Sequence, residues 1–547
     1  MHLLALALSL CSLLCALSPA LAVPTRTSVR KSGRSSSSFV TTSGTGFSVD
    51  DKDFTFVGTN AYWLPYLNND DDISNTLANM SQAGITVLRT WAFNDVTTIP
   101  DTGSWLQLIK DGTTTINMGE NGIQRLDRFI QLAKKYNIYV YFALTNNWNP
   151  SVAGTPTPVR RNGETPTSLP RNFLSNDYGG MDAYVREFGV NKTHDEFFTN
   201  EEIRDKFNSY VQFIVSRYAD EPGVIAWELA NDARCFSTLA ASDQCNSNVV
   251  TQWHAETARF VRSVDSDHLI TSGNHGFFCP TCPKLFTKPP PPQPSSAPVP
   301  DENHKRTSGG LMTPSRFLRM VAEERRAAPR VLGAREGVKI RGRWTAPNKA
   351  KRQTGGIGPA FSGFFGVDSE DILNAPDIDF GTFQLFPDQV DYEVTGSESQ
   401  APTSDFNNTL SQTTAWIRAQ AESARAIGKP VVLSAFGLIT EDNLAQFIPF
   451  NATTPLTQSQ QQNWKRQDFG GVTTGTNQQQ VTNAYTTWLQ TGSQSGVSGM
   501  NQYQARTFVQ SSTPGGTVGT SPNDGYGILG TDETQVQQVL TNATRPA

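Results

Sequence analysis

The sequence predicts an α/β fold: a closed (β/α)8 TIM barrel carrying a long, disordered basic insertion after the fifth strand. Three observations predict it. From Phe47 onward, apolar runs of strand length alternate with amphipathic helical stretches, the signature of parallel βα units. Eight such runs can be counted along the chain. Polar and aromatic residues stand at the ends of these runs, the face on which barrel enzymes build their sites.

The first strand is expected over 54–63 and the second over 85–93, with Ile73, Leu77 and Met80 marking a helical stripe between them. A helix over 121–136 shows Ile123, Leu126, Phe129, Ile130 and Ala133 on one face. The third strand runs over 138–144 and out to Asn147-Trp148, and a helix is expected over 200–218. Gly223 to Trp227 reads as a buried fourth strand that ends in Asn231-Asp232. A helix over 247–264 leads to a fifth strand at 268–272. The sixth, seventh and eighth follow at 377–387, 430–437 and 498–504, separated by helices at 406–427 and 478–491.

The chain has 547 residues, enough for one large domain with insertions. Its formal net charge of −5 points to no nucleic-acid partner. Residues 1–22 read as a secretory signal peptide, with an apolar run from Leu3 to Leu17 and a small-x-small ending, Ala20-Leu21-Ala22. Residues 23–40 read as a Ser/Thr-rich leader and 41–547 as the barrel. No other stretch is apolar enough for a membrane span, so a secreted, extracellular monomer is expected.

Four cysteines remain after the signal peptide: Cys235, Cys245, Cys279 and Cys282. An even count in an oxidising compartment suggests disulfides, and four cysteines allow three pairings. Cys235–Cys245 with Cys279–Cys282 is favoured; a zinc site at Cys279-Pro-Thr-Cys282 is the rival. Glycosylation sequons start at Asn79, Asn191, Asn407, Asn451 and Asn542, as in a secreted glycoprotein. Residues 285–360 break the alternation: Pro-rich first, then strongly basic over 304–352, they read as a largely disordered insertion with a short helix near 314–328. The basic tract is either a solvated linker or a polyanion-binding arm. Lys-Arg pairs at 305–306 and 351–352 mark where processing proteases would excise it.

The motifs Gly58-Thr-Asn-Ala-Tyr-Trp63, Val87-Leu-Arg-Thr-Trp-Ala-Phe-Asn94, Trp227-Glu-Leu-Ala-Asn231, Arg234-Cys235 and Ile378-Asp-Phe-Gly-Thr-Phe383 stand in order. With them the chain resembles fungal endo-β-1,4-mannanases of glycoside hydrolase family 5, over roughly 45–280 and 360–510. The resemblance implies retaining hydrolysis of a β-1,4-linked polysaccharide by two glutamates, one an acid and one a nucleophile, with no metal or other cofactor. It assigns Arg89 to hold the nucleophile and Asn231 to touch a sugar 2-hydroxyl.

At the reaction centre the chain departs from the pattern. The acid/base position is Asp232, one methylene short, and misplacement by about 1 Å costs roughly a hundredfold. The nucleophile position is Ala435, and the usual His-Leu-Tyr is Gln384-Leu385-Phe386. Arg89 therefore needs another acidic partner, for which Asp232 is the candidate; Glu441 or Asp442 is the candidate for a relocated nucleophile. Trp63, Trp91, Trp148 and Tyr503 are expected to stack on sugar rings. Three readings follow: a catalytically impaired β-mannan-binding protein, an active glycosidase with a relocated nucleophile or altered substrate, and a wall interaction protein acting through its basic insertion.

Overall fold

A computed structural model describes residues 39–150, 157–159, 167–169, 171–287, 338–340, 343–345, 358–393, 406–455, 476–504, 524–527 and 531–544. Eight parallel strands form the central sheet: β1 (Phe56–Asn60), β2 (Val87–Trp91), β3 (Tyr139–Ala143), β4 (Val224–Glu228), β5 (Leu269–Thr271), β6 (Gly381–Leu385), β7 (Val431–Phe436) and β8 (Gly499–Gln502). Their order is β5-β4-β3-β2-β1-β8-β7-β6. The two ends meet at one bridge, Thr271 beside Phe380, where Asp379 N donates to Ile270 O at 2.8 Å. The sheet thereby closes into the expected barrel. Nearly every strand residue is buried, because crossover helices cover the outside and side chains fill the inside.

The crossovers are α1 (Asp70–Gln82), α2 (Ile123–Lys135), α3 (Glu201–Tyr218), α4 (Ser247–Val264), α5 (Ser369–Asn374), α6 (Phe406–Ile427) and α7 (Gln478–Ser495), with α8 (Thr531–Ala543) after the last strand. Asparagine starts four of them. Asn69, Asn200, Asn246 and Asn477 each accept a hydrogen bond from a backbone N–H of the first turn, and Gln480 completes a capping box with Asn477. No helix among the described residues is long and apolar enough to cross a membrane.

The run expected as one strand over 54–63 is in fact two elements. Phe54 ends a three-stranded antiparallel sheet, Thr41–Ser43, Gly46–Val49 and Lys52–Phe54, and the barrel begins at Phe56. This small sheet caps the barrel floor. Phe47 lies edge-on to Phe380 at 5.2 Å and beside Phe56 at 6.3 Å, within a second apolar cluster that includes Val87, Tyr141 and Ile225. Three further short strands, Asp95–Val96, Gln107–Lys110 and Thr113–Ile116, elaborate the loop after β2. Inside the stretch read as disordered, Val338–Ile340 and Arg343–Thr345 pair as an antiparallel hairpin. The helix expected near 314–328 and the dibasic pairs at 305–306 and 351–352 lie outside the described residues.

Candidate functional site

The C-terminal ends of β1, β2, β4 and β6 converge on one buried polar network centred on Arg89. Its guanidinium is 2% exposed and the Glu228 side chain 0%. Arg89 Nε donates to Glu228 Oε2 at 2.7 Å, and Nη2 donates to the other carboxylate oxygen. The same Nη2 reaches Asn231 Oδ1 at 2.8 Å, and Nη1 reaches Asn60 Oδ1 at 3.0 Å. A bidentate, charge-assisted pair is the geometry in which a buried arginine is best compensated. Burial pushes the Glu228 carboxyl upward while Arg89 opposes it. Burial also works against the Arg89 charge, but Glu228 outweighs it and holds the guanidinium above its ordinary value.

Asp232 is therefore not the substitute partner of Arg89; Glu228 is. Asp232 takes φ +65, and its carboxylate is engaged by Arg234. Arg234 Nε donates to Asp232 Oδ1 at 3.2 Å and Nη2 to Oδ2, which also accepts from Trp148 Nε1 at 2.9 Å. The Arg234 guanidinium is itself sandwiched by Trp148, Phe277 and Phe365, 4.7–5.1 Å from each ring centroid. Asp232 is 2% exposed. Burial raises its pKa, with Arg234 and Trp148 pulling the other way.

On its remaining side His275 Nδ1 stands 3.8 Å from Asp232 Oδ1, and His275 Nε2 meets the Tyr392 hydroxyl at 2.8 Å. Burial, with Arg234 adding to it, holds His275 neutral. His275 and Tyr392 bring an imidazole and a phenol to the site from positions that sequence reasoning passed over.

Asn231 and Gln384 come together. Gln384 Nε2 donates to Asn231 Oδ1 at 3.0 Å, and Asn231 Nδ2 donates to Asn146 Oδ1 at 2.8 Å. Ala435, on β7, pairs in register with Gln384 and is 2% exposed. Asn60 links this strand to Arg89, since its Nδ2 donates to Ser434 O at 3.0 Å. Glu441 and Asp442 lie exposed in the 3-10 turn Glu441–Gln446.

Trp63, Trp91, Trp148 and Tyr503 all reach the strand ends, but each is buried. Trp91 lies between Tyr62 and Phe93, with Arg89 over its ring at 5.0 Å. Tyr503 is ringed by Phe386, Phe450 and Tyr526 and donates from its hydroxyl to Asp524 Oδ2 at 2.8 Å. These aromatics are thus packed against the protein's own side chains. A hollow of about 730 Å3 lies elsewhere, lined by Phe236, Asn246, Cys282 and Phe364 among others rather than by the polar network.

Both favoured disulfides form, Cys235–Cys245 and Cys279–Cys282, so the latter pair is not a zinc site here. Gly363 and Gly366 lie against them: a Cβ on either would stand 2.3 Å from the Sγ of Cys279 or Cys235. Among the sequons, Asn191, Asn407, Asn451 and Asn542 are exposed and Asn79 is half-buried on α1.

Comparison with known proteins agrees with this architecture. Residues 37–289 match the profile of the glycoside hydrolase family 5 beta-mannosidase-like proteins. Mannan endo-1,4-beta-mannosidase F of Aspergillus fumigatus is 38% identical over 258 residues, 46% of this chain and 51% of that protein. A probable mannan endo-1,4-beta-mannosidase A-2 of Aspergillus terreus is 27% identical over 422 residues, 77% of this chain and 75% of that protein. The crystal structure of the endo-1,4-beta-mannanase from Rhizomucor miehei shares the fold, with a TM-score of 0.56 at 24% identity over 93% of this chain and 99% of that one. At the higher identities the chain spans about half the length of the curated relatives it matches.

Proposed function

We propose, on the premise that this chain belongs through residues 37–289 to the mannosidase-like proteins of glycoside hydrolase family 5, that it binds β-mannan-type polysaccharide outside the cell with hydrolysis impaired. The observation that carries this reading is Ala435. A retaining glycosidase needs a carboxylate to attack the anomeric carbon and a second about 5–5.5 Å away to protonate the leaving oxygen. A methyl group at 435 does neither. Arg89, the group that would orient such a nucleophile, is already engaged by Glu228 on another strand.

The acid position supports the same reading. Asp232 is shorter than glutamate, and both of its oxygens are held by Arg234 or Trp148. A carboxyl so enclosed is poorly placed to hand a proton to a glycosidic oxygen, which has to lie within roughly 2.6–3.2 Å. What persists is recognition chemistry. Asn231 stays oriented by three side chains, and Trp63 Nε1, Asn176 Oδ1 and Gln504 Oε1 are buried polar atoms without a hydrogen-bond partner among the described residues. Such atoms suit a guest rich in hydroxyl groups. Glu441 and Asp442, being exposed, give a relocated nucleophile no support.

The test is turnover. The pure protein is incubated with mannan, glucomannan and cellulose, and new reducing ends are measured beside an Ala435→Glu, Asp232→Glu double variant. We expect none from the wild type. Clear wild-type turnover on any of them eliminates this reading. Retardation of the wild type in gels containing mannan measures binding directly.

A further inference from the structure

We propose that Tyr526 is a built-in plug, seated where the reacting sugar of a bound glycan would lie, so that the barrel mouth opens only when the strap carrying it is displaced. This rests on the β-mannan-binding reading only for the identity of the guest. The inference comes from what surrounds the ring. Tyr526 packs edge-on against Phe386, at the end of β6, with centroids 5.3 Å apart, and against Tyr503, just past β8, at 5.6 Å. It is also close to Gly437, immediately after β7: a Cβ there would stand 2.7 Å from Tyr526 Cδ1. One ring thus meets the chain at the ends of three successive strands, β6, β7 and β8, on β7 at a residue two positions past Ala435.

The strap 524–527 is held by a backbone bond from Ile448 N to Asp524 O at 2.9 Å, by Asn443 Nδ2 donating to Gly527 O, and by side-chain ties. Tyr503 OH and Gln504 Nε2 each donate to the Asp524 carboxylate at 2.8 Å. Gln389 Nε2 donates to the Tyr526 hydroxyl at 2.9 Å, and Gln389 Oε1 accepts from Phe450 N at 3.1 Å. A second segment crosses from the other side, where Asn176 Nδ2 donates to Phe450 O at 2.6 Å and to Ala452 O at 2.9 Å. Neither segment belongs to a barrel strand. A site whose competent form is a minor population binds more weakly by that fraction. Removing the plug raises apparent affinity with no new contact to the ligand.

Two readouts on the full chain test this. The first needs no ligand. A cysteine introduced as Ala435→Cys is the reporter, because all four cysteines after the signal peptide are paired. We expect its reaction with a small aromatic disulfide reagent to be slow in the parent and about tenfold faster or more with Tyr526→Ala, as the open fraction rises. Tyr526→Phe, which keeps the ring, stays slow. The second readout is affinity for mannohexaose by calorimetry, expected to rise by a similar factor with Tyr526→Ala. Unchanged labelling in a folded Tyr526→Ala protein overturns the plug. Faster labelling without mannohexaose binding by any variant leaves the plug standing and sinks the mannan reading. Should Tyr526→Ala fail to fold, Tyr526→Leu and Gln389→Met loosen the same seat more mildly, and equal labelling in both is equally fatal.

Discussion

Glu228→Gln isolates the element on which the polar centre depends. The substitution keeps shape and one acceptor but removes the charge facing Arg89, and its amide would point N–H toward N–H. Arg89 is 2% exposed, so it cannot recover the loss from water. Leaving one member of a buried pair uncompensated costs about 3–5 kcal/mol. Asn60 and Asn231 still accept from Arg89, which favours the lower end, about 3 kcal/mol. At roughly 2–4 °C per kcal/mol for a large domain, the melting temperature falls by about 6–12 °C. Urea unfolding followed by tryptophan fluorescence gives the free energy, and thermal circular dichroism gives the shift. A companion variant sharpens the reasoning. Asn60 bridges Arg89 to the Ser434 carbonyl, one residue before Ala435, so Ala435→Glu in the Glu228→Gln background offers Arg89 a new carboxylate and restores part of the loss. A Glu228→Gln protein within about 1 kcal/mol of wild type would refute the claim that Glu228 is the charge partner holding the site together.

Three other outcomes are expected. Burial raises the Asp95 carboxyl to about 8, opposed by the hydrogen bond from Gly180 N. Since the unfolded group titrates near 3.9, its contribution is fully present below that pH and is lost as pH rises toward 8; denaturant midpoints should therefore diverge in favour of Asp95→Asn from pH 4 to 8 and run parallel above. Gly499→Ala puts a methyl 2.1 Å from Phe56 Cζ, and overpacking of about 1–3 kcal/mol should appear as a lower urea midpoint, partly relieved by Phe56→Leu. Replacing both Cys235 and Cys245 by serine opens a loop of sequence separation 10 and should cost about 2–4 kcal/mol in non-reducing thermal unfolding.

The barrel was legible because its strands are largely apolar runs and its helices carry apolar stripes at helical spacing, as at Ile123, Leu126, Phe129 and Ile130. The floor was not, although its turn signals were present: Gly44, Asp50 and Asp51 all take positive φ, the conformation tight hairpins demand. An apolar run through Phe54 and Phe56 hid the break between them. At the site, Arg89 and Asn231 stand in short motifs, and the fold brings them together. Glu228 stands in the same motif yet was passed over, because a strand-terminal acid acquires its role only when another strand supplies the arginine. His275 and Tyr392 are 117 residues apart, and Gln389 and Tyr526 are 137 apart; nothing local couples such pairs. Tyr503 was read as a sugar platform, and only the fold shows its face already covered.

The closure of the barrel is asymmetric. Across β8 and β1 four residue pairs are in register, from Gly499 beside Phe56 to Gln502 beside Thr59, whereas β5 and β6 meet at a single bridge. The weak seam is also the point at which the chain departs for residues 288–357 and returns. Both disulfides lie before it. A cut anywhere in 288–357 would therefore yield two polypeptides with no covalent link, one supplying β1–β5 and the other β6–β8. They would be held together chiefly by the β8–β1 ladder and the helices packed around it. Such a nicked protein would migrate as one species in its native state and as two in detergent without reductant, and its halves, expressed apart, are the natural pair for reconstituting the barrel by mixing.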